Sequence, residues 1–89
     1  GIVCSPLELT YLRDHPLERA DGKRMLRVVP GIRPQWARSD DQFATATPYE
    51  AVRDGADYLV IGRPIISPPA AIGSPLAAVL DIVREIERV

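Results

Sequence analysis

Two arginines stand just beyond two short apolar runs, and each has neighbours suited to binding an anion. Arg33 follows residues 25–29 and the break Pro30-Gly31-Ile32, and Arg63 follows residues 57–61 and Gly62. A guanidinium presents a planar fork of donors that fits a phosphate or carboxylate through two hydrogen bonds. A glycine beside it lets a ligand approach the backbone N–H groups. Gln42 lies on the same polar stretch as Arg33, with an amide that both donates and accepts. If the two runs are adjacent parallel strands, the loops leaving them open on one rim, where parallel α/β folds bind their ligands. Arg33, Gln42, Gly62 and Arg63 then converge on one small anion. The competing reading is a turn glycine, a solvated Arg63, an exposed amide at Gln42, and an Arg33 paired with Asp40 or Asp41.

The other reactive side chains point elsewhere. Asp40 and Asp41 are adjacent on a loop and rarely aim at one atom, and no His, Cys and carboxylate spacing suits a metal. His15, just before Pro16, reads as a solvated or C-terminal capping group. Cys4 ends an apolar run with no histidine near it in sequence and reads as a small core residue. Trp36, alone among polar residues, reads as packing its loop down rather than forming part of a lid. Phosphate-loop, dinucleotide-fold and nucleophile-elbow motifs are absent.

The elements that must position the arginines come from three runs and three caps. Residues 1–4, 25–29 and 57–61 read as buried strands, the second stopped by Pro30-Gly31 and the third by Gly62-Arg63-Pro64. Ser5-Pro6-Leu7-Glu8 and Thr47-Pro48-Tyr49-Glu50 share one pattern: a capping hydroxyl, proline at the first helical position, and Glu placed to reach back to the cap. Helices to about Asp14 and Asp54 follow, the first ended by His15-Pro16 and the second by Gly55. Ser74-Pro75 starts a third helix with an apolar stripe of Leu76, Val79, Leu80, Val83 and Ile86, while Asp81, Arg84, Glu85 and Arg88 fall on other faces. Residues 17–24, and the Pro-rich stretch from Arg63 to Gly73, read as loops. The connection after Pro30-Gly31, about a dozen residues without periodicity, is longer than usual for a strand-to-helix link, which favours ligand contact over plain linkage.

The order is β-α-β-α-β-α, an α/β pattern with parallel strands that are apolar on successive residues because both faces are covered. The chain has 89 residues and a net charge of −1, so it is at most one domain and carries no electrostatic footprint for nucleic acid or anionic lipid. One cysteine excludes an internal disulfide. No apolar run reaches a membrane span and no signal segment opens the sequence, so a cytoplasmic setting is expected. Three parallel strands leave two open edges and one bare apolar face, and the chain opens within a strand. A segment of this kind is expected to need more chain, or a partner, for stability.

Pro30-Gly31-Ile32-Arg33-Pro34, then Asp41-Gln42, then Thr47-Pro48 with Glu50-Ala51, then Gly55-Ala56-Asp57-Tyr58-Leu59-Val60-Ile61-Gly62-Arg63-Pro64-Ile65 resemble, in order and spacing, the orotidine 5′-phosphate decarboxylase family. Gly1-Ile2-Val3-Cys4-Ser5 looks like that family's sixth strand and helix start, so the likeness covers essentially the whole chain. The resemblance implies that residues 1–89 are the last three strand–helix units of a TIM-type (β/α)8 barrel, one C-terminal segment with no second domain. It implies a homodimeric enzyme that converts orotidine 5′-monophosphate to uridine 5′-monophosphate and carbon dioxide in pyrimidine biosynthesis, without metal or organic cofactor. Carried over by matching motif, Arg63 and the Gly62 backbone hold the 5′-phosphate, Gln42 bridges phosphate and pyrimidine, Arg33 lines the phosphate end, and Pro30 borders the base. Residues 31–42 form the loop that closes over substrate, driven by binding of the remote phosphate.

One departure limits this. The family's catalytic Lys and Asp cluster includes a D-x-K-x-x-D motif on an early strand. Here Asp21-Gly22-Lys23 holds the single lysine, but Leu26 stands where the last Asp belongs and the tripeptide falls in a surface loop. No catalytic residue is therefore assigned in this chain, which is expected to be inactive without the N-terminal part of a barrel. A lesser departure is Ser74-Pro75 where the family more often has Asp-Pro. Two other readings stand beside this one: a non-catalytic phosphate-binding half-barrel that self-associates, and a related sugar-phosphate lyase.

Overall fold

In a computed structural model, residues 1–37 and 45–89 are described. The capping patterns form helices where their chemistry places them. Helix α1 spans Pro6–Asp14 and α2 spans Pro48–Arg53. At α1 the Glu8 carboxylate accepts from both the N–H (3.3 Å) and the hydroxyl (3.0 Å) of Ser5. At α2 the exchange is reciprocal: Thr47 N–H donates to Glu50 at 2.9 Å, and Glu50 N–H donates to the Thr47 hydroxyl at 3.2 Å. Groups otherwise orphaned at a helix start are thereby satisfied. His15 caps the end of α1: its N–H donates to the Tyr11 carbonyl at 2.9 Å, and its ring stacks on that of Tyr11.

Strands β1 (Ile2–Val3), β2 (Arg27–Val29) and β3 (Tyr58–Leu59) pair in parallel in the order β1-β2-β3. The register sets Val3 beside Val28, and Val28 beside Tyr58. All three are shorter than the apolar runs. Met25 drops out of β2 because its N–H donates to the Leu17 carbonyl, closing the turn of residues 17–24 rather than extending the sheet.

Cys4, Leu9, Leu12, Val29, Ile32, Ala46 and Ala51 form the core, which lies on the helix side of the sheet. The other face is bare, as expected of three parallel strands alone. Val3, Tyr58 and Val60 are exposed, because among the described residues α1 and α2 reach only the opposite side. The second strand, read as part of an apolar run, carries one charge inward: Arg27 is buried among these side chains. Its Nη2 donates to the Leu12 carbonyl at 2.9 Å, which supplies the polar partner that burial demands. Asp57 ties the same strand: its carboxylate accepts from Arg27 N–H (2.9 Å) and from Arg24 (2.6 Å). Burial pushes the Asp57 carboxyl up, but these two hydrogen bonds outweigh it and hold the group below its ordinary range.

The stretch read as a Pro-rich loop contains a fourth helix. In α3, Arg63–Ile66, the N–H groups of Ile65 and Ile66 both return to the Gly62 carbonyl. Four residues carry no readable period, which is why the pattern missed it. The last helix, α4, spans Pro75–Glu87 and packs on α2 and α3 through Ala78 and Ile82. Leu76, Val79, Leu80 and Val83 of its apolar stripe are exposed instead. Among the described residues no helix is long and apolar enough to cross a membrane.

Candidate functional site

Both arginines are carried on the same rim. Beyond β2, Gly31 takes φ +73°, a backbone state that glycine reaches without steric cost. Ile32 is buried and bridges in parallel to Ala46, whose carbonyl accepts the Arg33 N–H at 2.9 Å. This fixes the backbone of Arg33 on the sheet's extension. Pro34 is fully buried, and a single 3-10 turn, Gln35–Ala37, follows with Ala37 N–H donating to the Pro34 carbonyl at 2.9 Å. The turn directs the Ala37 carbonyl back at the arginine, and Arg33 Nη1 donates to it at 3.1 Å. Beyond β3, Gly62 precedes α3 and Arg63 is its first residue.

A hollow of about 400 Å³ lies between these two connections. Arg33, Trp36 and Ala37 line it from the β2 side, and Arg63, Pro64 and Ser67 from the α3 side. Among the described residues no carboxylate lines it, and Arg63 has no ion-pair partner. Arg33 gives one donor to a neutral carbonyl and, among the described residues, keeps the rest of its fork. Among the described residues the two cations face one cavity without a counter-charge, an arrangement that suits an anion.

The structure therefore brings together Arg33 and Arg63, the pair read from the sequence. Gly62 adjoins them as the exposed residue before α3, whereas Pro30, half-buried at the end of β2, is not among the lining residues. Gln42 lies outside the described residues, as do Arg38, Asp40 and Asp41, and with them the expected pairing of Arg33 to an aspartate. Trp36 packs as expected: it is half-buried and its Nε1 donates to Asp81 of α4 at 2.8 Å. Ser67 and Asp81 were not anticipated, since neither lies in a recognisable motif. Lys23 sits in an exposed turn, its N–H bonded to Asp21 at 3.1 Å. Among the described residues no cluster of His, Cys, Asp and Glu is arranged to hold a metal.

Residues 1–72 match the family model described as orotidine 5′-phosphate decarboxylase / HUMPS family. The chain belongs to this family. It is 51% identical over 86 residues to an orotidine 5′-phosphate decarboxylase of Geobacter sp. (strain M21), an alignment covering 97% of this chain and 32% of the relative. With that of Geotalea uraniireducens it shares 47% over 87 residues, covering 98% and 34%. The crystal structure of the orotidine 5′-phosphate decarboxylase of Lactobacillus acidophilus superposes with a TM-score of 0.63 at 35% identity, over 97% of this chain and 30% of that one. The chain thus spans about a third of the length of the relatives it matches. The family model ends before α4, whereas the alignments to the relatives and to the solved structure continue through it.

Proposed function

We propose that residues 1–89 form the phosphate-gripping segment of an orotidine 5′-phosphate decarboxylase, corresponding to the last three strand–helix units of a (β/α)8 barrel. The carrying observation is the shared hollow: Arg33 and Arg63, from connections after adjacent parallel strands, line one cavity without an intervening carboxylate among the described residues. Arg63 with the Gly62 backbone grips the 5′-phosphate, Arg33 completes the clamp, Gln42 spans phosphate and pyrimidine, and Pro30 borders the base. The clamp does no chemistry on the reacting carbon. It supplies binding energy at a distance, which orients the substrate carboxylate toward charged groups contributed by the preceding strands. With Lys23 in an exposed turn, those groups are not in this segment, and the chain alone is inactive. The complete protein is cytoplasmic and homodimeric in this reading.

The test is reconstitution. Mixing the chain with a polypeptide spanning the first two thirds of the Geobacter relative restores decarboxylation of orotidine 5′-phosphate, and neither piece acts alone. Arg63→Ala in the reconstituted enzyme raises KM by about 10- to 100-fold, the worth of one charge-assisted phosphate contact. A folded complex of the two pieces that turns over no substrate overturns the proposal.

The bare sheet face favours a second reading, a phosphate-binding half-barrel in which copies of the chain cover one another. It predicts a stable oligomer by light scattering whose melting temperature rises with phosphate and which turns nothing over. A preference for ribulose phosphates over pyrimidine nucleotides would instead indicate a sugar-phosphate lyase.

A further inference from the structure

We propose that Asp81 is a positioning residue for the anion site: through the Trp36 indole it holds the turn whose carbonyl orients the Arg33 guanidinium. The inference rests on the phosphate reading above and extends the site to α4, a helix that follows the residues matched by the family model.

The link is a chain of hydrogen bonds. Trp36 Nε1 donates to Asp81 Oδ2 at 2.8 Å, across 45 positions of sequence. An indole N–H is a donor only, so a carboxylate is an apt partner, and both side chains are half-buried, where exchange with water is restricted. Trp36 is the middle residue of the Gln35–Ala37 turn and stands in the wall of the hollow. The next residue gives its carbonyl to Arg33 Nη1 at 3.1 Å. Buried Pro34 and the Ala37 N–H bond to its carbonyl leave this turn few ways to rearrange while Trp36 is held. One turn further along α4, Glu85 accepts the Tyr49 N–H at 2.9 Å, at the start of α2. The polar face of α4 therefore ties the chain at two points, one just after Arg33 and one just after Ala46, which pairs with it. An arginine held in its binding geometry loses less freedom when the anion arrives.

The test is a double-mutant cycle in the intact chain, with inorganic phosphate and uridine monophosphate as ligands measured by calorimetry. Asp81→Ala weakens both by about tenfold, the scale of one lost orienting contact. Asp81→Asn keeps an acceptor oxygen and stays within about threefold of wild type. In an Arg33→Ala background, Asp81→Ala changes affinity by less than about twofold, because both substitutions act through the same group. Trp36→Phe keeps the ring, removes the donor, and reproduces Asp81→Ala, so it carries the same expectation if that variant does not fold. Trp36 is the only tryptophan, and its quenching by acrylamide in ligand-free protein reports the tether directly: it rises in Asp81→Ala. A purely structural role lowers the melting temperature of Asp81→Ala and leaves phosphate affinity within twofold; that result, or additivity with Arg33→Ala, overturns the inference while wild-type binding leaves the phosphate reading intact. A wild-type chain that binds neither ligand defeats the phosphate reading, and this inference with it.

Discussion

The helix-covered face of the β1-β2-β3 sheet and its other face are made of similar residues and end in opposite states. Cys4 and Val29 on the covered face are 3% and 0% exposed, whereas Val3 and Tyr58 on the other are 73% and 59% exposed. The difference is not one of hydrophobicity. Crossovers between parallel strands are right-handed, so α1 and α2 both fall on one side, and the second face receives no cover from the described elements. Exposed apolar patches are commonly interaction surfaces. The covered face therefore holds the segment's own core, while the other contributes little to it.

Substitutions on the two faces sharpen this contrast. Leu9→Ala, beneath the covered face, costs about 2–5 kcal/mol in urea unfolding, and Val3→Ser on the bare face changes stability by no more than about 0.5 kcal/mol. Comparable losses would show that the bare face is covered in solution. Cys4 gives a chemical version of the same test. Burial first, and then the Glu8 charge, push its thiol up against the smaller opposing effect of Arg27, so the thiolate is scarce as well as shielded. Labelling by a thiol reagent is slower by about two orders of magnitude in the folded chain than in urea.

Gly55 probes the surroundings of buried Arg27. It has φ +110°, and a Cβ there would lie 2.8 Å from Arg27 Nη1, so Gly55→Ala costs about 1–2 kcal/mol by thermal unfolding. The effect of Asp57 depends on pH. Its carboxyl is depressed in the folded chain, so its contribution is present above the ordinary aspartate value of about 4 and is lost as pH falls through the folded value. Asp57→Asn accordingly lowers stability near neutrality and flattens the acid limb of the stability curve.

What the sequence disclosed divides along the same lines. Local chemistry was legible: the Ser5 and Thr47 caps start helices where their partners Glu8 and Glu50 lie three residues on, and Pro30-Gly31 does end β2. The arginine pair was legible too, because order and parallel pairing put Arg33 and Arg63 on one rim. Whatever depends on tertiary neighbours was not. Nothing in the spacing of α4 indicated that small Ala78 and Ile82, rather than the Leu76–Val83 stripe, face α2 and α3. Arg27 is buried because Leu12 offers a carbonyl from another element, and the Asp81 contact to Trp36 spans half the chain. The expected role of Gln42 lies outside the described residues.

The central claim is that Arg33 and Arg63 grip one anion. Its most direct test follows the guanidinium Nε–H resonances of both residues by NMR while phosphate is added to the intact chain. The account predicts that both shift together along one isotherm, with a common dissociation constant, and that Arg63→Ala abolishes the shift of Arg33. Two different constants, or an Arg33 signal that stays still while Arg63 titrates, would contradict it.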